Sequence, residues 1–173
     1  MLDDTGVADL GCYGNSFNET PNIDRISSEG TRFTSYYTQP VCSPSRSCLL
    51  TGQGTLRTGI SNYLENKNST YLDSSEFTLL PQLLGNAGYH TGIIGKWHLC
   101  GGYEDYPTEG SPYNAGFDEV IMSEQKYIGN GDYFYPYDHL PQVNDGNDGD
   151  YLIDVINDAA VDYIVMYLPE DLQ

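Results

Sequence analysis

Cys42-Ser43-Pro44-Ser45-Arg46-Ser47-Cys48-Leu49-Leu50-Thr51-Gly52 reads as a nucleophile set on a helix N-terminus. Gln39-Pro40-Val41 approaches as an extended segment, because the residue before a proline is pushed out of the helical region. Pro44 suits the first turn of a helix, where its missing N–H costs nothing. Leu49 and Leu50 are expected to supply a buried face, and Gly52 to stop the helix. Cys42 then sits where unpaired N–H groups and the helix dipole favour negative charge. Arg46 follows one turn later on the same face. Taken alone, a C-x-x-x-R spacing is more often a buried cysteine beside a surface arginine.

The longer run is more specific. Cys42-Ser43-Pro44-Ser45-Arg46 followed by Leu49-Leu50-Thr51-Gly52-Gln53 resembles the signature of type I sulfatases, in which the cysteine is oxidised to formylglycine. In that family the C-x-P-S-R core directs the modification, so the resemblance implies a formylglycine-generating enzyme as partner.

Outward from this stretch, bulk properties limit what the chain does. It has 173 residues, with 39% hydrophobic content and a formal net charge of -18. The mean hydropathy is -0.45 and the pI about 4.1. That length suffices for one domain with a core. No run approaches the roughly 18 apolar residues of a membrane span. The acidity argues against nucleic acid, whose phosphates need a basic footprint. It also repels an anionic substrate at long range, which a local site holding Arg46 and a metal can overcome. Cys12, Cys42, Cys48 and Cys100 do not form a disulfide framework pattern; with Cys42 converted, at most one pair remains. Asn18-Glu19-Thr20 and Asn68-Ser69-Thr70 fit the glycosylation sequon, a match that chance explains in a chain rich in Asn, Ser and Thr. No signal-peptide pattern precedes Asp3.

From the start, Met1 and Leu2 read as the end of a strand carrying Asp3 and Asp4. Adjacent carboxylates are costly there unless neutralised, by a hard divalent cation or by solvent on an acidic turn. Type I sulfatases close their first strand with such an Asp-Asp pair, which binds calcium. They continue with a loop similar to Asp9-Leu10-Gly11-Cys12-Tyr13-Gly14-Asn15 here. The apolar strand that normally precedes the pair is absent. Thr20 to Gly30 is expected to be a short helix, with Thr20 capping, Pro21 first, Ile23 and Ile26 inward and Gly30 ending it. Thr31-Arg32-Phe33-Thr34 then leads as a strand towards Cys42.

Residues 53 to 76 are polar and loop-like. Thr78 to Asn86 suggests a second helix, with Gly88 past its end. Tyr89 to Leu99 reads as a buried strand, and helix followed by strand is the α/β rhythm that places function at strand C-termini. On an extended chain Lys96 and His98 project to one face. Alone the pair means little. Within Gly95-Lys96-Trp97-His98-Leu99 it resembles the second sulfatase signature, whose lysine and histidine contact the sulfate, although Cys100 stands here where glycine is usual.

Gly116-Phe117-Asp118-Glu119 marks a return to the sheet; it and Gly131-Asp132-Tyr133-Phe134 resemble later family segments. Tyr127, Tyr133, Tyr135 and Tyr137 are a candidate sugar-stacking wall, with ordinary packing the preferred reading. His139 lies in no motif and is left out of the site. Asn144 to Asp150 lacks the glycine spacing and distal glutamate of an EF-hand and is read as a solvated turn. Leu152, Val155, Ile156, Ala159, Ala160, Tyr163 and Ile164 recur at helical spacing and predict an amphipathic helix packed on the sheet.

The resemblance covers Asp3 to about Ile164. It implies an α/β, alkaline-phosphatase-like sandwich with a largely parallel central sheet flanked by helices, truncated at both ends, with residues 1–173 a single partial catalytic domain. The implied function is hydrolysis of a sulfate ester, of a carbohydrate or aryl compound, through formylglycine derived from Cys42 and a calcium ion (Ca2+). Calcium would be held by Asp3, Asp4 and residue 42; Arg46 would support the formylglycine, and Lys96 and His98 would hold the sulfate or assist the leaving group. Family members act in extracellular, periplasmic or lysosomal space. Two alternatives stand beside this: a phosphonate or phosphate ester hydrolase of the same superfamily, and a non-catalytic remnant.

Overall fold

The computed structural model describes residues 1–64, 71–100, 110–122, 133–137 and 146–168. The chain divides into two compact units, residues 1–39 and 40–173. The smaller unit holds two short 3₁₀ turns, Val7–Asp9 and Gly11–Tyr13, and helix α1, Pro21–Glu29. Its Asp9–Asn15 loop is held to α1 by the Asp24 carboxylate, whose Oδ1 accepts from the Cys12 N–H at 2.6 Å. Thr20 occupies the N-cap of α1 without capping it. Its hydroxyl instead accepts from the Gly11 N–H at 2.9 Å and donates to Asp24 at 3.0 Å. Loop anchoring thus replaces the expected cap. Ile26 is 71% exposed rather than inward-facing. Neither Met1–Leu2 nor Thr31–Thr34 forms a strand.

The larger unit begins with α2, Cys42–Thr51, followed by α3, Thr55–Thr58, and α4, Leu80–Asn86. Strands β1, Gly92–Ile94, and β2, Glu119–Ile121, pair in parallel with Ile93 opposite Val120. Helix α5, Leu152–Tyr167, completes the order. Gly52 terminates α2 with φ of 65°, its N–H returning to the Cys48 carbonyl, as expected for a left-handed C-terminal glycine. Leu50 packs on the core as expected, but Leu49 is 46% exposed. In α4 the Gln82 side chain accepts from the Leu79 N–H at 2.9 Å, closing the helix start from within.

The strand expected over residues 89–99 shortens to three residues. Gly88 has φ of 89° and Gly95 φ of 91°, so the backbone turns on both sides of it. The main core joins Ile60, Leu64, Leu72, Leu79, Trp97 and Leu99. Ile60, Leu64 and Leu72 belong to the stretch read as a polar loop, yet they are 1%, 6% and 1% exposed. Helix α5 packs on β1 as its pattern predicts: a Cβ on Gly92 would lie 2.5 Å from the Tyr163 ring. Ile164, assigned to the inward stripe, is 57% exposed. Among the described residues, no helix is long and apolar enough to cross a membrane.

Candidate active site

Cys42 is the first residue of α2, and the N-cap Val41 is extended with φ of -137°, the conformation expected of the 39–41 segment. Val41 anchors the first turn, its carbonyl accepting from the Ser45 hydroxyl at 2.8 Å. Pro44 is buried in that turn, as are Ser43 and Ser47. The Cys42 thiol stays half-buried and lies 3.1 Å from Nδ1 of His98. All four cysteines are unpaired by disulfide.

His98 reaches Cys42 from a turn beyond β1. Consecutive residues of that turn are anchored in different directions. The Gly95 N–H donates to the Ile121 carbonyl at 3.4 Å and the Leu99 carbonyl accepts from the Leu72 N–H at 3.0 Å. The Lys96 carbonyl accepts from the Arg46 guanidinium. The indole of Trp97 donates to the Gly110 carbonyl at 2.8 Å, satisfying the one polar atom of a side chain that is otherwise core. His98 itself has φ of 56° and is 4% exposed. A left-handed backbone at a non-glycine residue is uncommon and costs energy, and such anchoring holds it in place. The same-face argument for Lys96 and His98 therefore lapses, because residues 96–98 are not extended strand. The Cys42–His98 approach comes from the turn.

The His98 ring is held at both nitrogens. Nε2 lies 2.9 Å from the Leu64 carbonyl oxygen. A carbonyl only accepts, so Nε2 carries the proton and, in the neutral ring, Nδ1 presents its lone pair to residue 42. Leu64 in turn donates its N–H to the Ser43 hydroxyl at 3.2 Å. Sequence reasoning missed Ser43 and Leu64. For Leu64 the only signal was an isolated apolar residue within an otherwise polar stretch; Ser43 had none beyond its place beside Cys42.

Asp3 is half-buried and Asp4 exposed, in a bend of the 1–39 unit; Asp4 has φ of 53°. Among the described residues no three His, Cys, Asp or Glu side chains converge on a metal position. Position 42 does fit a formylglycine: it begins a helix, is partly accessible, and faces an oriented imidazole. Tyr137 is 3% exposed and meets Tyr135 edge-on at 5.4 Å, which is packing rather than a stacking wall. Burial, with the nearby Asp150 and Asp154, raises its phenol above the usual range. Residues 146–150 form a turn closed by the Asp150 carboxylate on the Asn147 N–H at 2.7 Å. Tyr127, His139 and the Asn68 sequon lie outside the described residues.

Comparison with solved structures matches this architecture. The crystal structure of Ps i-CgsB in complex with k-i-k-neocarrahexaose superposes with a TM-score of 0.74 at 26% identity, over 95% of this chain and 40% of that one. PsFucS1 sulfatase from Pseudoalteromonas sp. superposes at 0.58 with 34% identity, over 72% of this chain and 25% of that one. The family model described as Sulfatase matches residues 1–171. The chain belongs to the sulfatase family and has its alkaline-phosphatase-like α/β fold. N-acetylgalactosamine-6-sulfatase of Sus scrofa is 38% identical over 152 residues, 83% of this chain and 27% of that protein. Arylsulfatase H of Canis lupus familiaris is 44% identical over 128 residues, 68% of this chain and 22% of that protein. The chain thus spans about a quarter of the length of the curated relatives it matches.

Proposed function

We propose that this chain carries the nucleophile region of a sulfatase that hydrolyses a sulfate ester through a formylglycine made from Cys42. The observation that supports it most is the 3.1 Å approach of His98 Nδ1 to Cys42 Sγ at the first position of α2. A formylglycine-generating enzyme, with dioxygen as oxidant and a thiol as reductant, would convert the CH2–SH side chain to an aldehyde, the sulfur leaving as hydrogen sulfide and the second oxygen atom as water. Once present, the hydrated aldehyde supplies a hydroxyl nucleophile for sulfur.

This chain's residues then have separate tasks. His98, protonated at Nε2, offers Nδ1 as a proton acceptor beside residue 42. Arg46 supports that residue and holds the Lys96 carbonyl. Lys96 and His98 hold the sulfate or assist the leaving group, the Lys96 ammonium supplying charge where negative charge develops. Locally Lys96 and Arg46 offset the repulsion expected from a chain of net charge -18. By the family resemblance we assign Asp3 and Asp4 to calcium binding; no task above depends on it. The names of the N-acetylgalactosamine-6-sulfatase and Arylsulfatase H relatives support a sulfated carbohydrate or an aryl sulfate as substrate. Action in extracellular, periplasmic or lysosomal space belongs to the same reading.

The test is release of sulfate from a sulfated monosaccharide and from an aryl sulfate, with the matching phosphate esters alongside, after co-expression with the maturation enzyme. The expected result is sulfate release that Cys42→Ala abolishes. Preferential phosphate release, or release that survives Cys42→Ala, would overturn the proposal.

A further inference from the structure

We propose that Ser43 is a positioning residue that orients His98 towards residue 42 through the Leu64 backbone. The inference rests on the proposed role of residue 42 but is read without turnover. Ser43 is fully buried, and its hydroxyl accepts from the Leu64 N–H at 3.2 Å. The Leu64 carbonyl accepts from His98 Nε2 at 2.9 Å, and His98 Nδ1 lies 3.1 Å from Cys42 Sγ. The path is a closed ring: Cys42 and Ser43 are neighbours in the chain, so the helix that bears the nucleophile also fixes the group facing it.

Both backbone polar groups of Leu64 are committed in this ring. Each peptide unit is planar, which leaves only two soft dihedrals between the Leu64 N–H and its carbonyl. Fixing the N–H on the Ser43 hydroxyl therefore restricts where the carbonyl can point. Leu64 itself is 6% exposed, which denies water the chance to replace either bond. Loss of the hydroxyl leaves a buried N–H without its acceptor, a state proteins avoid by local rearrangement. The rearrangement would be felt at His98, whose left-handed backbone depends on its anchors. Ordering of an imidazole by a group beyond it is a general device for fixing histidine tautomers.

The experiment is proton NMR of the full chain labelled with 15N-histidine, with Cys42 as the unmodified thiol and His98→Gln to assign the signal. The wild type should show a slowly exchanging His98 Nε2–H. Ser43→Ala should lose that protection, and Ser43→Thr, which keeps a hydroxyl, should retain it. Ser43→Cys, which offers only a weak sulfur acceptor in the same place, should weaken it and serves if Ser43→Ala does not fold. A wild type without a protected Nε2–H, or protection unchanged in both Ser43→Ala and Ser43→Cys, would overturn the proposal. A failed sulfatase reading looks different: preferential phosphate release, or release that survives Cys42→Ala, while the His98 signal responds to Ser43 as described.

Discussion

Arg46 illustrates how much one side chain carries at this site. It stands one turn after Cys42 in α2 and donates to the carbonyl of Lys96, 50 positions away in sequence. A guanidinium spans that gap with a planar fork, whereas an ammonium is a compact point charge on a flexible stem. Arg46→Lys should therefore lower stability by about 1.5–3 kcal/mol, the range for hydrogen bonds to charged groups, measured by urea denaturation. Stability equal to the wild type would mean that the bond does not hold the turn. The helix over Cys42 to Thr51 was legible in the sequence, because Pro44 and Gly52 each have a local reason for their place. The His98 turn was not legible. Its geometry depends on anchors from Arg46, Leu64, Leu72, Gly110 and Ile121, and no local pattern announces contacts of that separation.

Among the elements, α5 was the most legible, because helical periodicity depends only on near neighbours. Strand β1 was the least, since turns at Gly88 and Gly95 cut it to three residues. The two meet at Gly92, where an added Cβ would lie 2.5 Å from Tyr163 Cζ. Gly92→Ala should cost about 1–3 kcal/mol by overpacking, and Tyr163→Leu should relieve part of that cost in the double variant. Additive losses in a double-mutant cycle would show that α5 does not press on β1. The entry to β2 carries a pH dependence. Hydrogen bonds from the Thr91 N–H and hydroxyl, aided by nearby His90, hold the Asp118 carboxyl below the usual range against an opposing effect of burial. A lowered folded value stabilises the fold above the ordinary carboxylate range, and the contribution is lost as pH falls through the folded value. The fall in Tm between neutral pH and about pH 3 should thus be smaller in Asp118→Asn than in the wild type. An equal fall would remove Asp118 from the acid response.

At the scale of the whole molecule, charge dominates. With a net charge of -18, self-repulsion opposes the compact state and screening relieves it, so added sodium chloride should raise Tm. A fall in Tm with salt would show that specific ion pairs outweigh the net repulsion. The central claim concerns residue 42, and it is tested most directly by peptide mass analysis after co-expression with a formylglycine-generating enzyme. The account predicts that the peptide containing residue 42 carries the aldehyde mass and reacts with a hydrazide, while Cys48 keeps its thiol. An intact thiol at Cys42, under conditions in which the same enzyme converts a control substrate, would contradict it.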